Sequence, residues 1–244
     1  MKIFRYALPL VPIAALGACS DASSPTGGPL AVNLQFSAVT DLAAVSAPIT
    51  LNDGTNELVI SQVELVVEAV EFEGAENVCA TVGDDDCGEF ETGPALIDLP
   101  LDATAQSLTV PVPPGTYDEV EIEIEVVEGD EDEPEEQAFL DANPDFVGIS
   151  LRVVGTFNGE SYTFVSGLEV EQEVEFPAPI VLTETSPPVD VDIMVDVSGW
   201  FVNKDGQLID PRTALSLGPN QIIVERNIRD SFDTDDDEED DDDG

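Results

Sequence analysis

Apolar residues recur at every second position through much of this chain. Leu30, Val32, Leu34 and Phe36 alternate with Ala31, Asn33, Gln35 and Ser37, the pattern of a strand with one buried face. Asn52-Asp53-Gly54 marks a turn, because these residues accept the backbone angles of a tight reversal. The run from Leu58 to Phe72 is rich in β-formers, and its apolar phase slips between Val67 and Val70, which predicts a bulge or a break into two strands. Ser107 to Val112 predicts a further strand, Pro113-Pro114-Gly115-Thr116 a turn, and Tyr117 to Val127 the return. In the return, Val120, Ile122, Ile124 and Val126 point to one side. Glu119, Glu121, Glu123 and Glu125 point to the other, so one face is core and the other a row of carboxylates.

The same alternation continues downstream. Ile149 to Phe157 and Tyr162 to Val165 flank Asn158-Gly159, a hairpin signature. Leu168 to Phe176 turns Glu169, Glu171, Glu173 and Glu175 outward. Val189 to Val197 does so with Asp190, Asp192 and Asp196, Met194 being the exception. After Trp200-Phe201, the turn Asn203-Lys204-Asp205-Gly206 leads to a short segment, Gln207 to Ile209. Helical spacing occurs twice. Glu135 to Ala142 predicts a short helix ended by Asn143-Pro144, and Val224, Ile228 and Phe232 at i, i+4, i+8 predict an amphipathic helix over Asn220 to Phe232. Many short strands without long alternating helices predict an all-β fold, an antiparallel sandwich with a short C-terminal helix.

Charge changes this picture of an ordinary β domain. The 244 residues hold 53 acids against 7 bases, a formal net charge of −46, with no histidine. Nucleic acid is excluded as a partner, since phosphate binding needs clustered Lys and Arg. Self-repulsion of this size opposes a compact state unless salt screens it or cations bind. With Lys2 and Lys204 as the only lysines, the composition predicts a surface adapted to high salt. Asp233 to Asp243 holds ten acids in eleven residues, which predicts a disordered tail over 233–244.

The N-terminus predicts an address. Lys2 and Arg5 precede a mainly apolar run, Tyr6 to Leu16, too short to span a bilayer but suited to a signal peptide. Leu16-Gly17-Ala18-Cys19 resembles the cleavage and lipidation motif of bacterial lipoprotein precursors: an aliphatic residue, two small residues, then cysteine. The resemblance implies removal of 1–18 and acylation of Cys19. Ser20, not being aspartate, implies sorting to the outer membrane. Three acyl chains would make that hold permanent, one alone being marginal. The mature chain then keeps 5 bases against 53 acids, a formal −48. Residues 19–29 read as a lipidated tether and 30–232 as the folded body. Assigning Cys19 to lipid accounts for the odd cysteine and leaves Cys79 with Cys87. These form an exported disulfide worth about 2–3 kcal/mol by the chain-entropy model, or else stay as two reduced thiols.

The body resembles uncharacterised domains of bacterial surface lipoproteins at four places. They are Pro114-Gly115-Thr116-Tyr117, Asp196-Val197-Ser198-Gly199-Trp200-Phe201, Ile209-Asp210-Pro211 and Asn227-Ile228-Arg229-Asp230-Ser231-Phe232. The first is widespread in Ig-like and transthyretin-like sandwiches, so the resemblance implies a sandwich of that type. It implies no activity and no catalytic residues.

The chemistry left open is narrow. Histidine-based triads and metal motifs are impossible here, and no strand-to-helix phosphate loop occurs. Carboxylate pairs are too abundant to single out a glycosidase site, and Trp200, the only tryptophan, reads as core. The expectation is therefore no enzyme, no catalytic residue and no firm cofactor, with loosely held calcium or monovalent counterions. Asp84, Asp85 and Asp86 are weak metal candidates, because calcium needs six to eight oxygens in a fixed cage. The rows at Glu121/Glu123/Glu125, Glu169/Glu171/Glu173/Glu175 and Asp190/Asp192/Asp196 are expected on one or two sheet surfaces. The reading that results is a lipid-anchored envelope protein with a structural or binding sandwich, partnered by the membrane through its lipid and by an envelope protein or surface ligand. The alternatives are a calcium-dependent adhesive or ligand-binding module and, remotely, a carboxylate-based hydrolase.

Overall fold

In the computed structural model, which describes residues 31–39, 48–74, 90–102, 104–129 and 134–232, the alternating stretches become strands of three sheets. The first sheet runs β12 (Val189–Asp196), β1 (Ala31–Val39), β7 (Gln106–Pro111). The second runs β10 (Glu160–Ser166), β9 (Leu151–Phe157), β3 (Glu57–Val67), β2 (Ile49–Asn52), with β6 (Ala95–Asp98) paired to the far half of β3. The third runs β11 (Val170–Leu182), β8 (Gly115–Ile124), β4 (Ala69–Gly74), β5 (Phe90–Thr92). The all-β class and its antiparallel character are as the alternation predicts, with one exception. β1 and β12 pair in parallel, from Val32 opposite Val189 to Val39 opposite Asp196. The chain between them is long enough to make any crossover that parallel pairing needs.

The phase slip after Val67 has a physical cause. Glu68 interrupts the run, and the chain leaves the second sheet as β3 and enters the third as β4. The crossing is bonded on both sides: the Val66 N–H donates to the Ser150 carbonyl and the Glu68 N–H to the Glu123 carbonyl, each at 2.8 Å. Within β3 a register shift falls between Ile60 and Gln62 against β9. Opposite it, a Cβ on Gly155 would lie 1.9 Å from the Val59 carbonyl oxygen, so only glycine fits that close approach. The β9–β10 hairpin turns at Asn158-Gly159, both with positive φ (52° and 79°) as a two-residue turn requires.

One continuous core joins the sheets. Trp200, Phe36, Phe72, Phe164 and Phe201 are its largest fully buried side chains. Phe201 meets Tyr162 and Phe164 edge-on at 6.1 and 5.3 Å between centroids. The predicted C-terminal helix is α2 (Gln221–Arg229), shorter than its periodicity suggests; Ser231 and Phe232 follow as a turn. Nine residues are marginal as an isolated helix. Burial of Val224, Ile228 and Phe232, worth about 1.5–3 kcal/mol each, holds it to the sheets. Asn227 Nδ2 donates toward the carbonyls of Gly199, Trp200 and Val202, and Trp200 Nε1 donates to Ser231 Oγ at 2.8 Å. A smaller cluster of Val66, Val127, Phe139 and Phe146 lies under α1 (Pro134–Ala142) and the 3-10 turn Pro144–Phe146. The segment Gln207 to Ile209 is reduced to a single bridge between Leu208 and Val202. The short strands β2, β5 and β6 have too few residues to show a period. The leader, Cys19, the tether, the Cys79–Cys87 loop with Asp84, Asp85 and Asp86, and the acidic tail lie outside the described residues. Among the described residues no helix is long and apolar enough to cross a membrane.

Candidate cation-binding face

The third sheet brings together the glutamates that alternation places on one side of each strand. Because β8 pairs with β4 and β11 in register, Glu71, Glu121 and Glu173 share one cross-strand row, and Glu73, Glu119 and Glu175 another. Glu123 stands opposite Glu171 on β11 and Ala69 on β4. Two of the predicted rows therefore meet on one surface. The third does not: Asp190, Asp192 and Asp196 belong to the first sheet, beside Asn33, Gln35 and Val39 of β1. Sequence reasoning missed Glu71 and Glu73, although Val70-Glu71-Phe72-Glu73 carries the same alternation over a stretch too short to stand out. It also missed Glu68 and Glu136, which follow no period.

The face is not the fully solvated one that alternation suggests. Glu119, Glu121, Glu123 and Glu125 are half-buried, the first three flanked by strands on both sides and Glu125 just past the end of β8. One oxygen from each of Glu121, Glu171 and Glu173 lies within 4.8 Å of the others, and the same holds for Glu68, Glu123 and Glu125. Like charges at this spacing repel, and the cost shows as proton affinity. Desolvation first, then the hydrogen bond its protonated form donates to Glu171 and the charges of Glu171, Glu123 and Glu71, push the Glu121 carboxyl up to about 7. Burial, reinforced by Glu125, Glu123 and Glu136, pushes Glu68 up to about 7 as well. Glu119 and Glu125 are raised for the same reasons, burial leading in both. Glu68 hydrogen-bonds Glu136 of α1, and such a carboxyl pair needs a shared proton. Glu136 is itself buried and accepts from the Gly129 N–H at 2.9 Å.

Three of the five cations of the described body form their ion pairs away from this face. Arg152 forks onto Glu64 at 2.6 and 2.8 Å and lies 4.4 Å from the Phe146 ring centroid. Arg212 bonds Asp210 and Glu160, and Lys204 lies 3.5 Å from Asp205. Chemically, rows of half-buried carboxylates can take up protons or hard cations. Trp200 is fully buried, so it offers no stacking platform to a sugar. Comparison with protein-family models, with curated proteins and with solved structures returns no match to this chain.

Proposed function

We propose that the chain is a non-catalytic protein of the cell envelope, held at the outer membrane by lipid on Cys19, whose β body presents a carboxylate face suited to concentrated salt. The observation that carries the binding role is the cross-strand row Glu71, Glu121 and Glu173, since three carboxylates abreast are stable only with protons or counterions between them. An Ig-like or transthyretin-like sandwich is the arrangement we assign to the sheets. It is supported by the Tyr117 hydroxyl, which donates to the Pro113 carbonyl four residues upstream at 3.1 Å, the geometry of a tyrosine corner. Cys19→Ala should release the protein from the membrane fraction and remove the acyl mass from its mature N-terminus. Unchanged retention, with no acyl mass on the native protein, overturns the anchor.

The calcium-dependent adhesive or ligand-binding module is the second reading, favoured by the two three-carboxylate groups, each within 4.8 Å. Calorimetry in molar monovalent salt separates the two. Saturable calcium heat with a calcium shift in melting supports the module, and a flat trace supports a counterion-screened surface.

A further inference from the structure

Helix α1 closes over an apolar cluster of its own, outside the main core, and carries a carboxyl on the side that docks. Glu136 and Phe139 are the buried residues of the helix, three positions apart and hence on one face. Phe139 packs with Val66, Val127 and Phe146, and Leu96, Leu140 and Ile149 lie at the margin. The seat is close: a Cβ on Gly129 would lie 2.8 Å from Leu140 Cδ1. Glu136 is only 7 % exposed; it accepts from the Gly129 N–H at 2.9 Å and shares a hydrogen bond with Glu68 in the β3–β4 crossing. The helix is thus docked by this small cluster and by a carboxyl–carboxyl bond, which exists only while one of the two partners carries a proton.

The groups that face this pair are mostly acids. Glu123 of β8 and Glu125 just beyond it lie with Glu68 in a group whose oxygens fall within 4.8 Å of one another. Glu128 and Glu169 act on Glu125 in turn, while Glu135 and Asp141 of α1 are exposed. The cation of this corner, Arg152 of β9, lies 4.4 Å from the Phe146 ring centroid but forks onto Glu64 of β3, with Asp145 as its other acidic neighbour. Loss of the shared proton leaves two carboxylates opposed across the seat of the helix, and the helix, at nine residues, is marginal on its own. We infer that α1 is a proton-dependent latch, closed over Val66, Val127 and Phe146 while the Glu68–Glu136 pair keeps its proton and opening when the proton leaves. Burial and the surrounding acids push Glu68 up to about 7 from the ordinary 4.5. The closed form therefore binds the proton more tightly than the open one, so opening grows as pH rises from 4.5 to about 7 and levels off above it.

The test is hydrogen exchange on the full mature chain, read by mass spectrometry at pH 5, 6, 7 and 8 and corrected for the intrinsic exchange rate. Amides from Phe139 to Asn143 should open about a hundredfold more than those of β9 at every pH, as a local rather than global event requires. Their opening should grow about tenfold from pH 5 to pH 8 once solvent screening is allowed for. Nile red, a neutral apolar dye, should bind increasingly over the same range while β9 stays protected. Glu68→Gln, whose amide donates to Glu136 without a titrating proton, should cut that growth to less than about threefold; if the variant does not fold, Glu136→Gln reads the same bond from the other side. Equal opening in α1 and β9 would mean that the helix leaves only with the whole fold. Opening that is flat in pH, or as steep in the glutamine variant as in the parent, would take the proton out of the latch. Any of these results overturns the proposal.

Discussion

β8 and β12 alternate acid with apolar residues in nearly the same way, yet their acidic sides meet different neighbours. On β8 every outward glutamate from Glu119 to Glu123 faces another glutamate across at least one strand pair. On β12 the neighbours are amides: Asn33 Nδ2 donates to Asp190 at 2.8 Å, and Gln35 stands opposite Asp192. The first surface holds its carboxyls well above their ordinary range at Glu68 and Glu121. The second sets no acid opposite an acid between β1 and β12, and stays exposed at Asp190 and Asp192. A strand's own pattern therefore sets which way its acids point, and its partners' register sets whether those acids strain the fold.

The largest effect expected from this contrast is on pH dependence. Glu68 and Glu121 bind protons more tightly folded than unfolded, so their penalty is absent below the unfolded value of 4.5 and complete above about 7. Stability should fall across that window by about 2 kcal/mol for the two together after solvent screening, or roughly 4–8 °C in melting temperature. The double variant Glu68→Gln, Glu121→Gln should flatten the decline, and an unchanged slope in thermal melts would assign it to other groups. Asp53 works in the opposite sense. Backbone N–H donors from Asn56, Leu208 and Thr55 hold it near 2, so its contribution is present above 3.8 and is lost as pH falls through about 2. Melts should therefore be highest in the mildly acidic range.

Charge reversal at the centre of the crowded row ranks next. Glu121→Lys should stabilise the protein by about 1 kcal/mol at pH 8 and low salt, and the gain should shrink in molar salt as screening removes the repulsion it relieves. The smallest effect belongs to β12, where Asp192→Asn should leave denaturant midpoints within about 0.5 kcal/mol of the parent. A large change there would mean that the two faces are equally strained and that the neighbouring amides do not matter.

Much of the fold was legible in the sequence, because strands with a single buried face write their period into the chain. β1, β8, β9, β11 and β12 follow from alternation alone, the β3–β4 break from one phase slip at Glu68, and the β9–β10 turn from Asn158-Gly159. What was not legible depends on pairing. Nothing in the order of residues places β1 parallel to β12, or sets Glu71 beside Glu121, since register between distant strands is chosen by the assembled core. The half-burial of the glutamates is likewise a property of three strands together.

The central position of β1 has a mechanical consequence. Its eight parallel register positions with β12 and six antiparallel ones with β7 begin at or beside the residue where the described body starts. A pull on the chain ahead of Ala31, directed along the strand, loads both ladders in shear, so their hydrogen bonds share the tension instead of parting one at a time. The point at which the body would feel drag is thus also the point at which it resists best.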